Sequence, residues 1–208
     1  STPAATATLS DSDPALTLGA PDRVDPMDNG SNWPTGTDPA GFTAIKFEDG
    51  FLKLTALDKV AGDISGWRVA WHVLTDFYLE GTFKTAECEN NDYYGLMFRV
   101  PGDSGTDQGY LFGISCDGRY NLRRWNDPAM QTLIKFTAHD AILKGPNVVN
   151  KLGVLAKGSN ITLFINGQKI TEITDGNFLS GRFGIFVAGN HVDNFTVWVD
   201  QVRYWLNP

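Results

Sequence analysis

NNDYYGLMFRVPGDSGTDQGYLFGISCDGRYNLRRW, residues 90–125, holds three strand-like runs in succession, and its reading decides the fold class. With the two-residue period of a β-strand, Tyr94, Leu96, Phe98 and Val100 fall on one side of the first run, and Tyr93, Gly95, Met97 and Arg99 on the other. The first side is apolar and suits a core. The second mixes aromatic, small and cationic residues, a surface for a ligand with both CH patches and hydroxyls, as a sugar has. The same residue types also occur on the solvated side of an antiparallel sheet. Asp117-Gly118 lies between the second and third runs and turns easily into a tight hairpin.

Working outward, residues 50–56 (GFLKLTA), 67–73 and 76–85 (DFYLEGTFKT) alternate in the same way. In the last of these, Phe77, Leu79 and Phe83 point inward and Tyr78, Glu80 and Thr82 outward. Downstream come 132–137, 151–157, 161–165, 168–173, 181–188 and 195–205, and Asn166-Gly167 is the strongest hairpin signal in the chain. Only 138–143 could form a helical turn. About a dozen short strands without a blade-length repeat predict an all-β fold, a two-sheet antiparallel β-sandwich rather than a propeller.

A chain of 208 residues that is 42% apolar and 12% aromatic suits one all-β domain with an ample core. Residues 1–21 are rich in Ser, Thr, Ala and Pro, the composition of a linker, so the domain is expected over 22–208. Residues 24–41 read as an irregular strap anchored by Trp33. The formal charge of −7, with no run of lysine or arginine, argues against nucleic acid and anionic membranes as partners. No stretch approaches the ~18 consecutive apolar residues of a membrane span, so no membrane insertion is expected. A start at Ser1 without a basic-then-apolar leader is expected of a processed secreted protein or an excised domain. Cys88 and Cys116 are compatible with one disulfide if 77–84, 94–100 and 109–115 are successive strands of one sheet. Two free thiols would point instead to a reducing compartment.

Glycoside hydrolysis needs two carboxylates about 5–10 Å apart. The nearest sequence candidates, Glu87 with Glu89 and Glu172 with Asp175, read as loop charges. His72, His139 and His191 are scattered, without a zinc-binding helix motif, and no GxSxG elbow is present. Calcium fits better, because Asp25 and Asp28 in the strap and Asp200 near the end could supply hard oxygen ligands, although Asp is also an ordinary turn residue. No cofactor is required by this reading, with a structural calcium as an option.

The succession 28–33 (DNGSNW), 47–51 (FEDGF), 92–99 (DYYGLMFR), 109–112 (GYLF), 150–152 (NKL), 165–167 (ING), 181–184 (GRFG) and 199–202 (VDQV) resembles the concanavalin A-like lectin/glucanase superfamily. Within it the match is nearest to laminin-G-like jelly rolls of bacterial surface proteins, related to 3-keto-sugar hydrolase-like domains and levan-type fructan-binding modules. The resemblance implies a jelly roll with ligands on a concave sheet face or its rim loops, and it marks Arg99, which ends the GLxFR strand, as a ligand contact. The E-x-D-x-E strand of the glucanase branch is missing.

Together these readings predict a monomeric, extracytoplasmic, non-catalytic module that binds carbohydrate or a cell-surface glycan. Its contact residues are expected to be Arg99 with Glu80 beside it, Tyr78 and Tyr93, Arg123 and Trp125, and Trp71 at a rim with His72. Arg124 is expected to face inward and to need a carboxylate or carbonyl partner. The alternatives are a laminin-G-like structural or protein-interaction domain and an enzyme acting on a modified sugar.

Overall fold

Alternation along the chain lays down the strands of the computed structural model, which describes residues 5–6, 12–38, 40–57, 66–102 and 108–208. The first half holds β1 (Ala5–Thr6), β2 (Arg23–Asp25), β3 (Gly36–Thr37), β4 (Thr43–Glu48), β5 (Phe51–Ala56), β6 (Gly66–Leu74), β7 (Phe77–Thr85) and β8 (Tyr93–Val100). The second holds β9 (Gly109–Ser115), β10 (Arg119–Asn126), β11 (Ala129–Ala138), β12 (Val148–Lys157), β13 (Asn160–Ile165), β14 (Gln168–Thr174), β15 (Gly181–Ala188) and β16 (Thr196–Leu206). A ten-stranded sheet runs β14-β13-β12-β7-β16-β5-β4-β3, with β1 beside β12 and β2 beside β16. A six-stranded sheet runs β11-β10-β9-β8-β15-β6. The fold is the all-β two-sheet sandwich expected, and every pairing but β1 with β12 is antiparallel. Among the described residues no helix is long and apolar enough to cross a membrane.

The sheets meet through their apolar faces. Leu52, Leu54, Phe77, Leu79, Phe83, Leu152, Val154, Val197 and Val199 of one oppose Tyr94, Leu96, Phe98, Phe112, Ile114, Leu122 and Ile185 of the other. Rings cross the gap from Phe77 to Phe98 (6.3 Å) and from Phe83 to Tyr94 (5.5 Å). Each such buried side chain contributes about 1.5–3 kcal/mol relative to exposure. The same contacts correct the sequence reading: β7 and β8 are not neighbours in one sheet but face each other across the core, because both bury an aromatic face and only opposition covers both. The crossing loop is held by the buried Asp92, whose carboxylate accepts from the backbone N–H groups of Glu89, Asn190, His191 and Val192. The disulfide is formed. Cys88, after β7, joins Cys116, after β9, with 5.5 Å between Cα atoms, so it links the two sheets rather than two strand ends of one.

Three corrections lie near the start. The expected linker includes folded chain: residues 12–19 pack on the outer face of the ten-stranded sheet, where Asp13 is 2% exposed and Trp205 donates to the Gly19 carbonyl. Residues 24–41, expected as an irregular strap, contribute β2 and β3, and β4 precedes the first predicted strand. Asp49 and Gly50 both have positive φ (53° and 79°), the mirror-type hairpin turn that joins β4 to β5. Trp33 is buried as expected, its indole N–H donating to Asp25 and its edge meeting Phe183. Residues 139–143 form a turn rather than a helical one.

Candidate functional site

The predicted contact residues fall into three places. Tyr93, Arg123, Trp125 and Trp71 share the outer face of the six-stranded sheet. Tyr78 and Glu80 lie on the outer face of the ten-stranded sheet. Arg99 lies on neither.

On the six-stranded sheet, Val69, Tyr93, Met97, Leu111 and Phe186 form a buried floor, flanked by the half-buried Trp67, Trp125, Met130 and Phe136. Gly95 stands opposite Gly113 and beside Phe186, and a side chain on Gly113 would meet the Phe186 ring at 2.7 Å. The two glycines therefore leave a strip across which that ring lies. Tyr93 is packed edge-on by Phe136 (5.7 Å) and Phe186 (5.6 Å). The Arg123 guanidinium sits 5.0 Å from the Tyr93 ring centre and donates to its hydroxyl, a cation over an aromatic face. Arg119 lies similarly over Phe136 and is paired with Asp117. On β6, Ala70 faces the core and Val69 the outer cluster, so Trp71 projects outward and is 59% exposed. Trp71 and Trp125 thus stand on β6 and β10, four strand spacings or about 19 Å apart. That breadth suits a chain of rings better than one.

Arg99 was expected on this face and is not there. It has φ 53°, and Phe98 and Arg99 together occupy the space between the pairs Met97–Gly184 and Val100–Arg182. This bulge inverts the alternation, so Val100 joins the outer cluster and Arg99 turns inward. Its guanidinium donates to the carbonyls of Gly158 (2.6 Å), Phe178 (3.2 Å) and Thr75 (3.1 Å), with Asp76 at 3.8 Å. It clasps three loops at one end of the sandwich and is fully buried. Glu80 is not its cross-strand partner, because β7 lies in the other sheet.

Glu80 and Tyr78 belong to a separate network. The Glu80 carboxylate, 1% exposed, accepts from Tyr78 (2.8 Å) and Arg203 (2.5 Å) and pairs with Lys151 at 3.1 Å. Lys151 also reaches Asp13 of the N-terminal segment at 2.5 Å. Burial, then the neighbouring Glu80 charge, pushes the Tyr78 hydroxyl far above its ordinary pKa. Arg124 faces inward and is paired with Asp175, which also accepts from Tyr110 at 2.6 Å.

Among the described residues no three His, Cys, Asp or Glu side chains gather into a metal cage. Asp25 accepts from Met27 N, Asn32 and Trp33, Asp28 from Asn29, and Asp200 is exposed on β16. The described outward positions of β6, β15, β8, β9 and β10 on the six-stranded sheet carry no Asp or Glu. Glu172 is exposed and paired with Lys169. Trp67, Phe136, Arg119 and Phe186 were not among the predicted contacts. The period-two alternation of GRFGIFVA, which puts Ile185 inward, would have found Phe186 once the face of Tyr93 was known.

The two antiparallel sheets form a jelly-roll sandwich, and similar solved structures share it. A carbohydrate-binding module CBM66 from Bacillus subtilis has TM-score 0.63 and 16% identity over 84% of this chain and 95% of that one. A galectin-like protein of unknown function from Bacillus subtilis has TM-score 0.64 and 15% identity over 91% and 97%. A Bacillus licheniformis β-glucanase has TM-score 0.64 and 11% identity over 88% and 97%. The comparison with curated proteins found no match. The family model for the 3-keto-alpha-glucoside-1,2-lyase-like domain matches residues 25–203, and the chain belongs to that family.

Proposed function

We propose that this protein is a non-catalytic, monomeric, extracytoplasmic module that binds a glycan chain on the outer face of its six-stranded sheet. The carrying observation is the grouping there of Tyr93 under Arg123 with Trp125, Trp67 and Trp71 at the flanks, on strand positions that bear no carboxylate. Aromatic rings offer the CH faces of sugars a stacking surface, while hydrolysis needs a carboxylate pair. Tyr93 and Arg123 are floor groups that hold the face rigid, and the three tryptophans are the contacts. The likeness to a solved carbohydrate-binding module supports the reading, and the disulfide supports an oxidising compartment. The reading uses no metal. Asp25 and Asp28 serve it as organisers of the segment around Trp33.

Titration of intrinsic tryptophan fluorescence with a panel of fructan, glucan and galactan oligosaccharides tests it. Saturable quenching that is lost in Trp125→Ala is the expected result, and flat curves for every glycan with an intact fold would sink it. One observation favours a second reading, an enzyme of 3-keto-glucosides: the family match itself. Release of 3-ketoglucose from a 3-keto-disaccharide would establish that reading instead.

A further inference from the structure

On the ten-stranded sheet, away from the face just described, four outward side chains stand in one row across four strands. Lys46 on β4 opposes Lys53 on β5, Lys53 opposes Trp198 on β16, and Trp198 opposes Lys84 on β7. The ammonium groups of Lys53 and Lys84 each lie 5.9 Å from the centre of the Trp198 ring. Like charges placed directly opposite across strands are unfavourable, so the Lys46–Lys53 pairing works against folding. One carboxylate offsets it: Glu48 pairs with Lys46 at 2.9 Å and with Lys53 at 3.4 Å. Lys84 has no ion pair among the described residues. A chain of net charge −7 therefore sets three cations in one row, two of them flanking a half-buried indole, with Glu48 paired to Lys46 and Lys53.

We infer that this row is a second binding site, for an acidic saccharide. A sugar ring lying on Trp198 would place an equatorial carboxylate or sulfate over the ring edge, between two ammonium groups. The bonded hydroxyls of Thr55 and Thr196, at 2.9 Å from each other, lie one step further along β5 and β16 and offer partners to sugar hydroxyls. The row spans three strand spacings, about 14 Å, which suits two or more sugar units. An anionic lipid surface shares the charge but asks for apolar groups that insert. The large hydrophobic residues that are exposed, Leu16, Val24, Leu57, Trp71, Val73, Leu179 and Leu206, all lie outside the row.

The test is calorimetric titration of the full chain with oligogalacturonate, a chondroitin sulfate oligosaccharide and neutral maltohexaose, at low and at physiological ionic strength. Both acidic probes should bind, more weakly as salt rises. The double variant Lys53→Gln/Lys84→Gln, whose half-buried, outward side chains can change without unfolding the sheet, should bind them about tenfold less tightly, and Lys84→Arg should retain them. Trp125→Ala should leave acidic binding intact, which separates failure of this site from failure of the other face. The proposal falls if neither acidic probe binds, if the double variant binds as the natural chain does, if only Trp125→Ala abolishes binding, or if the lysines matter only for phosphatidylserine vesicles.

Discussion

On the ten-stranded sheet Tyr78 gives its hydrogen bond to Glu80, Arg203 and Lys151 close on the same carboxylate, and residues 12–19 lie over the result. On the six-stranded sheet Arg123 instead lies over the Tyr93 ring, and the flanking tryptophans reach water. Similar side chains thus close a charged network in one place and pack the floor beneath flanking tryptophans in the other. The difference comes from what stands opposite each cation. A buried carboxylate consumes the cation in a closed ion-pair network, whereas at Tyr93 the cation packs on a buried ring and the open apolar area is left to the flanking tryptophans.

The contrast can be broken most directly at Glu80. Glu80→Ala leaves Lys151 and Arg203 facing each other and should destabilise the fold by about 2–3 kcal/mol in urea denaturation, less than a fully dry pair because Arg203 keeps some water. Glycan binding on the opposite face should survive it. A smaller and opposite pattern is expected of Trp125→Ala, with affinity for the neutral glycan falling about tenfold and stability changing by under about 1 kcal/mol. Trp71→Ala, at the exposed flank, should weaken binding about threefold with a stability change within about 0.5 kcal/mol, as read from titration and urea midpoints together. If Trp71→Ala costs stability instead, the flank is packing rather than surface.

The smallest effect is a pH dependence at the clasp that joins the sheets. Burial alone would raise the Asp175 carboxyl, but hydrogen bonds from Tyr110, Asn177 N and Arg124 outweigh it and hold the group below its ordinary value of 3.8. A depressed folded value gives stability that is present above the unfolded pKa and lost as pH falls below about 4. Tyr110 is pushed up to about 12, by burial first and then by Asp175. Its contribution is present below about pH 10 and lost as pH rises from there toward 12. Urea midpoints across both windows should show the two slopes, and Asp175→Asn should remove the acidic one.

Legibility in the sequence followed the range of each interaction. The inward placement of Tyr94, Leu96 and Phe98 on β8, though not of Val100, the Asn166-Gly167 hairpin and the outward placement of Tyr93, Arg123 and Trp125 follow from local alternation and turn chemistry. Arg99 broke the reading because one bulge residue reverses the period, and a run of seven alternating residues gives no sign of it. Glu80 was read as facing outward correctly but assigned to the wrong neighbours, since its partners come from 71 and 123 residues further along the chain. The segment 12–19 reads as linker by composition, yet Asp13 makes it part of the body by meeting Lys151.

By itself the sequence determined an all-β sandwich, the inward faces of its strands, a cysteine pair able to bridge, and an acidic chain without the charge pattern of a nucleic-acid binder. Those properties rest on period, composition and turn residues, which act over a few neighbours. Only the tertiary structure decided which strands oppose across the core, that Arg99 became a clasp, and that Tyr93, Arg123 and Trp125 share one face while Glu80 closes another. Each depends on which distant strand lies alongside, and that is settled by covering all the apolar faces at once.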